Sequence, residues 1–434
     1  MSLTFVNARL IDPATGQDGP GALRVAGGLI EDVAFGHAPA PGAGEVIDCA
    51  GKVLAPGIVD MRVFVGEPGA RHRESYRSAG AAAAAGGVTT FVAQPDTNPP
   101  LDDPALVQFA LARAREAAPV RVHAMGALTK GLRGTEMTEQ QFLLDAGAIA
   151  LSDADHAIES AKVMRAVMLY ATSTGALVVH HPQEPTLSAG ACATSGEFAS
   201  RLGLPSVGPV AERIALARDL MLAQTTGARY HADLVTTATA LDALRRAKEA
   251  GAGATAGVSI HHLTLNEFDI ADYRSFFKFD PPLRAEADRQ AAVEAVAAGL
   301  IDVIVSSHQP WDEEAKRLPF EEAAAGAVGL ETFLPACLRL VHGGALTMAR
   351  LFRAAALRPS EILGLPTGRL ARGAPADLVL FDPNAPFLLD RETLRSKSKN
   401  TPFDRHRMEG RVIGTWVAGR RVFGGREAGG RDAA

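Results

Sequence analysis

Six of the chain's 12 histidines, His180, His181, His231, His261, His262 and His308, stand at the ends of short apolar runs. Asp96, Asp153 and Asp280 follow similar runs closely. Imidazole nitrogens and carboxylates are the donors of zinc sites and the usual carriers of protons near neutral pH, so the chemistry open to such a set is metal-assisted or acid–base hydrolysis. The histidines read most simply as hydrogen-bonding groups at strand ends.

The elements that must position them are legible as a change of texture. Up to about Pro56 short alternating strands are broken by Gly and Pro: Leu3–Leu10, Ala22–Val25, Ile30–Ala34 and Val46–Val53. From Gly57 apolar runs alternate with Ala/Leu-rich stretches: 58–65, 88–93, 120–124, 148–151, 176–179, 228–234, 255–260 and 303–306. Eight strands with helices between them over about 250 residues suit a parallel (β/α)₈ barrel. The rival is a doubly wound open sheet, but no Gly-rich phosphate turn follows an early strand. Runs at 214–223 and 329–341 have apolar spacing near 3.6 and read as outer helices packing inward. The chain turns β again at 376–381 and 411–423. The expected organisation is an α/β protein in which residues 57–365 form the barrel, while 1–56 and 366–434 form a discontinuous small β-sandwich with a charged, Gly-rich tail after Gly424.

Composition excludes several classes. Of 434 residues, 47% are hydrophobic and 21% charged, and 44 basic against 49 acidic side chains leave a net charge of −5. A field so weak and slightly acidic does not hold nucleic acid or an anionic membrane, so neither is an expected partner. Cys49, Cys192 and Cys337 are odd in number and widely spaced, which fits buried thiols in a reducing compartment. No signal peptide or membrane span is visible, and a cytoplasmic location is expected.

The segment Pro56-Gly-Ile-Val-Asp-Met-Arg-Val-Phe-Val-Gly-Glu-Pro-Gly69 resembles the amidohydrolase superfamily, specifically the dihydroorotases, whose first barrel strand ends in PGxxDxHxHxREPG. The resemblance continues through Gln94–Pro100, Phe277–Arg284, Gly329–Thr332, Gly373–Leu380 and Arg395–Phe403, in the family's order over nearly the whole chain. It implies a zinc held by the HxH pair, but Arg62 and Phe64 stand there. It implies a substrate-clasping Arg, but Gly66 stands there, which removes a bidentate carboxylate clamp. The fourth-strand carboxylate matches Asp153 and the fifth-strand His matches His181, two ligands where a catalytic zinc wants at least three, so the resemblance implies at most weak, adventitious metal binding there. The sixth-strand HxxH reads His231 to Leu234, so one His is lost, and the eighth-strand TDHAPH reads Ser306-Ser-His308, so the Asp that serves as ligand and base is Ser307. The family's substrate-contacting asparagines become Asp96 and Asp280, and two added carboxylates repel an anionic substrate.

On this count the resemblance implies a degenerate site and a pseudoenzyme, without cofactor because the ancestral zinc site is lost. It further implies a dihydroorotase homologue serving as a non-catalytic assembly subunit for the aspartate transcarbamoylase catalytic chain in pyrimidine biosynthesis, and itself a homo-oligomer. A working, divergent zinc-dependent cyclic amidohydrolase of dihydroorotase type and a small-molecule sensor using the old pocket are the competing readings. Arg62 is expected to replace the metal by an ion pair to Asp153, direct or through one intervening group.

Overall fold

The strand runs pair in the order in which they occur. Ile58–Val63, Val88–Ala93, Arg121–Ala127, Ala150–Ser152, Leu177–His180, Arg229–Ala232, Ala254–Ser259 and Val303–Val305 form a parallel sheet in which each strand neighbours the next. The computed structural model describes residues 2–36 and 44–424, and the tail after Gly424 lies outside them. The sheet comes round almost to closure: Val63 bridges His308, and Phe64 N–H donates to the His308 carbonyl at 2.9 Å. The expected (β/α)₈ barrel is thereby found, and the open doubly wound sheet is not.

Near-continuous apolar runs form these strands because a parallel sheet covered by helices is buried on both faces. All six residues of the first strand and of the second are buried. Val59, Met61, Val92, Met125, Val179 and Val303 come from strands all round the sheet yet form one cluster, as side chains filling a barrel do. A larger cluster joins the other faces to the outer helices, among them Tyr76–Ala85, Pro104–Ala117, Ala161–Thr174, Val210–Thr226, Ala238–Glu249 and Glu286–Ala298. Ser75, Asp103, Ser160 and Thr237 start four of them by accepting a first-turn N–H.

Two helical readings are amended. Val210–Thr226 buries Ala215, Leu216 and Leu220, but Ile214 is 47% and Met221 62% exposed, so its apolar residues serve two faces. The stretch after Gly329 breaks into Phe333–His342, Met348–Phe352, a single π turn Arg353–Leu357 and Arg358–Leu363.

Both ends of the chain build one eight-stranded sheet beside the barrel. Ser2–Asp12, Gln17–Ala26, Leu29–Phe35, Glu45–Asp48 and Val53–Pro56 come from the start, and Leu378–Leu388, Arg407–Val417 and Arg420–Phe423 from the end. The seam is antiparallel pairing of Val53–Pro56 with Leu378–Phe381. Its own core centres on Trp416, which meets the edge of Phe5 with ring centroids 5.0 Å apart. Arg121 on the third barrel strand donates to Asp377 at 2.7 Å and ties the sheet to the barrel. Among the described residues no helix is long and apolar enough to cross a membrane, and Cys49, Cys192 and Cys337 are free and buried, as expected. Trp416→Ala removes the largest side chain of the sheet's core and is expected to cost about 3–5 kcal/mol, read as a fall in the midpoint of urea unfolding.

Candidate active site

The first strand delivers Arg62 to the carboxyl-end mouth of the barrel, where such folds keep their chemistry. Its side chain is 6% exposed and makes ion pairs to Asp155 and to Asp233, while Nε donates to Ser307 Oγ at 3.3 Å. Asp155 lies on the loop after the fourth strand, Asp233 directly follows the sixth, and Ser307 follows the eighth. One guanidinium therefore joins four separate parts of the rim. Asp60, two residues earlier and fully buried, accepts from the Arg62 and Ser306 backbones at 3.1 and 3.3 Å and is pushed up to about 6 by burial.

The ion pair expected between Arg62 and Asp153 does not form. Asp153 is buried, but its oxygens accept from Leu128 N at 2.8 Å, Thr129 N at 2.9 Å and the Thr129 hydroxyl, so it secures the loop after the third strand. Ala154, in left-handed conformation at φ 52°, then turns the chain so that Asp155 reaches Arg62. Asp155 and Asp233 were missed in the sequence; the signal available was spacing, Asp155 standing two residues after Asp153 and Asp233 two after His231, but the turn at Ala154 sends Asp155 to a different partner from that of Asp153.

The remaining candidates divide into those at the cleft and those turned from it. A cleft of about 170 Å³ is lined by Arg62, Asp155, His262, Asp280, Ser307 and Trp311, with Phe279 and Gln309 beside them. His181 is 1% exposed, has no hydrogen-bond partner on either ring nitrogen, and places Nε2 3.9 Å from Asp280 Oδ1. His262 Nε2 bonds the Pro281 carbonyl at 2.9 Å, its Nδ1 is unpartnered, and burial lowers its pKa to about 4, leaving it neutral at pH 7. Asp96 is raised to about 6 by burial and by the charge of Asp155. His308, by contrast, is consumed by Glu74 at 3.3 Å and by the Gly329 N–H at 3.1 Å, and His231 bonds Thr255 at 2.8 Å inside the barrel. His180 bonds Asp219 at 2.7 Å and accepts from Ile158 N at 2.9 Å. His261 packs between Phe279 and Phe403, with ring centroids 4.7 and 5.9 Å away, and burial lowers its pKa to about 3. His180, His231, His261 and His308 thus hold the fold.

Phe64 packs beneath the Arg73 guanidinium, which lies 4.0 Å from its ring centre and 3.4 Å from that of Trp311. An added Cβ at Gly66 would meet the Ala70 carbonyl oxygen at 2.1 Å, so no side chain can start there without moving the backbone. Leu234 is fully buried and packs in the barrel's own cluster. A zinc does not fit the inherited place. Arg62, Phe64 and Leu234 replace donors, Asp153 is occupied by backbone donors, and no cluster of three His, Cys, Asp or Glu suited to a metal occurs among the described residues. A larger, open hollow of about 820 Å³ lies on the sheet domain around Arg9 and Asp18, which already pair with each other at 2.6 Å, far from any group able to do chemistry.

Comparison with known proteins bears on what this cleft does. Residues 51–239 match a family model described as dihydro-orotase-like. A dihydroorotase of Pelobacter propionicus is 39% identical over 98% of this chain and 100% of its own length. A dihydroorotase-like protein of Pseudomonas aeruginosa is 39% identical over 96% of this chain and 99% of its own. The structure of an L-hydantoinase (dihydropyrimidinase) from Arthrobacter aurescens superposes with a TM-score of 0.88 at 23% identity, covering 97% of this chain and 96% of that one, and shows the shared fold.

These names overturn the expectation of a non-catalytic assembly subunit: curated relatives at 36–39% identity over nearly the full chain are named as the enzyme. The expectation of no cofactor falls with it, because the family to which those names belong is one of zinc-dependent hydrolases; the misfit at Arg62 is a property of the inherited donor positions. Arg62→Ala leaves Asp155 and the buried Asp233 unpartnered and is expected to cost about 3–5 kcal/mol. Urea unfolding reads the loss, and Arg62→Lys should recover only part of it because a compact ammonium cannot span both carboxylates.

Proposed function

This chain belongs to the dihydroorotase-like amidohydrolase family, and from that membership we propose that it is a cyclic-amide hydrolase of the dihydroorotase type. Water adds across a ring amide: the C–N bond breaks, hydroxyl goes to the carbonyl carbon and hydrogen to the nitrogen, with ring closure as the reverse. The observation that carries the reading is the likeness to enzymes of that name along 98% of the chain. The matched family segment contains Arg62, Asp96, Asp155, His181 and Asp233 and so spans much of the mouth.

The groups free to handle a proton are His181, His262 and Asp280. His181, a buried imidazole with open nitrogens and a carboxylate at 3.9 Å, is the group proposed to take a proton from water. The Arg62 guanidinium is held by Asp155, Asp233 and Ser307, which fixes it in the rim. Ring opening of dihydroorotate, hydantoin and dihydrouracil, with ring closure of carbamoyl aspartate, is the direct assay, run with and without added zinc. Turnover of at least one ring is expected, falling tenfold or more in His181→Ala at unchanged melting temperature. Silence across the panel in both metal conditions would sink the proposal.

The partner implied by the resemblance, an aspartate transcarbamoylase catalytic chain, we keep as a separate proposal together with homo-oligomerisation and a place in pyrimidine biosynthesis, since a hydrolase can also sit in such an assembly. Repeated patches on a symmetric oligomer would bridge transferase trimers. Co-expression followed by size-exclusion chromatography should give one co-eluting particle larger than either protein; separate elution at micromolar concentration refutes it.

A further inference from the structure

We infer that His262 is the fixed hydrogen-bond acceptor of the barrel-mouth cleft, its Nδ1 taking a ring N–H of a cyclic amide. The role rests on the hydrolase reading above and deepens it by naming the ligand group that one side chain recognises. Buried imidazole nitrogens without a partner occur, among the described residues, on His181, His231, His261 and His262. Of these four residues His262 alone lines the cleft. It is 4% exposed and sits on Ile260–Thr264, the short helix that follows the seventh barrel strand and so stands at the mouth. One contact decides its tautomer. Nε2 lies 2.9 Å from the Pro281 carbonyl, which can only accept, so Nε2 carries the hydrogen. Burial, with the charge of Arg284, lowers the pKa to about 4, so the ring is neutral at pH 7 and Nδ1 keeps its lone pair.

The carbonyl that sets this tautomer is anchored by a buried ion pair. Three residues beyond Pro281, Arg284 donates from Nη2 to Glu212 Oε2 at 3.2 Å and from Nε to Thr236 Oγ1 at 2.9 Å. Both side chains are buried. Glu212 also accepts from the Thr236 and Thr237 backbones at 2.8 and 2.9 Å and from Gln183 Nε2 at 3.2 Å. The adjoining Leu283 carbonyl accepts from Thr194 Oγ1 at 3.0 Å. This network joins the segments after the fifth, sixth and seventh strands, so the Pro281 carbonyl cannot leave the imidazole without straining several bonds together. Phe279, which also lines the cleft, meets the His262 ring edge-on with centroids 6.1 Å apart. The lone pair is therefore set before a ligand arrives, and pre-organisation of this kind lowers the cost of binding. A ring N–H loses its water on entering the cleft and needs such an acceptor. Asp280 and Gln309 line the cleft as well and can accept, so the contact of His262 has to be isolated from theirs.

Dihydroorotate and its 1-methyl and 3-methyl derivatives differ only in which ring N–H is present. Isothermal titration of the full chain with each at pH 7.5, with and without added zinc, gives Kd, replaced by KM where a ring is turned over. Repeating the series in His262→Gln closes a double-mutant cycle. The glutamine amide can keep the Pro281 bond but removes the acceptor at the Nδ1 position. One of the two methylations is expected to weaken binding to the unaltered chain tenfold or more, and to matter threefold or less in His262→Gln. His262→Asn places an amide oxygen near the Nδ1 position and should keep a larger methylation effect than His262→Gln; it also decides the matter if the glutamine variant does not fold. Nitrogen-15 spectra of the histidine-labelled chain should show, for the resonances that both variants delete, a protonated Nε2 and a bare Nδ1. A His262 protonated on Nδ1, methylation effects equal in the unaltered and variant chains, or no binding of any of the three rings at millimolar concentration overturns the inference. The expected cycle without turnover of any ring would remove the hydrolase reading and leave the contact. Turnover with equal methylation effects would remove the contact and leave the hydrolase.

Discussion

A guanidinium buried between two carboxylates organises the top of this barrel. Arg62 reaches from the first strand to Asp155 after the fourth, Asp233 after the sixth and Ser307 after the eighth. Such an arrangement is asymmetric in energy. Formed, it roughly offsets the cost of desolvating three charges; broken at one member, it leaves buried charge with nothing to answer it. The rim loops therefore depend on one another through a single side chain, and the cleft keeps its shape only while that side chain stays in place.

A second tier of buried polar contacts fixes the loops that bring the partners in. Asp153 anchors the loop after the third strand, and the His180 ring, held by Asp219, receives the Ile158 N–H and so tethers the loop that carries Asp155. Glu74 joins His308 to Ser396 and Lys397, linking the first-strand loop to the eighth strand and to the segment before the last strands of the sheet. Asp60 bonds across the barrel's closing seam to Ser306. These groups find partners, as buried polar atoms ordinarily do. Buried polar atoms without a partner occur toward the mouth, on His181, His262 and Asp96, and also deeper, on Asp60, His231 and His261; of these residues His262 lines the cleft, where a ligand can reach it.

The barrel was legible because parallel strands covered on both faces write themselves as uninterrupted apolar runs, and the observed strands fall on the runs at 88–93, 176–179 and 303–306 to within a residue or two. The composition of the mouth was legible residue by residue from motif positions: Arg62, Asp280 and Ser307 all line the cleft. What failed was pairing. Asp153 and Asp155 are the same residue type on the same loop, and which of them meets Arg62 is decided by the backbone donors of Leu128 and Thr129 and by the left-handed turn at Ala154, none of which one strand announces. His308 failed for a related reason, since its partner Glu74 is 234 residues away in sequence. The reading of an inactive subunit failed differently: it counted lost donors at inherited positions, whereas relatedness over the full chain speaks to reaction class even where individual donors have changed.

The substitution of a guanidinium for a donor pair has a consequence for chemistry. Arg62 balances the same kind of carboxylates that a dication would, so the rim can keep its geometry, but it has no vacant orbital with which to polarise a carbonyl or acidify a water. Its contacts with Asp155, Asp233 and Ser307 fix its position in the rim. On the proposed reading, proton transfer falls to the groups beside it, His181, His262 and Asp280. The residue that holds the mouth in shape thereby also decides, by what it leaves unpaired, which side chains are available to act.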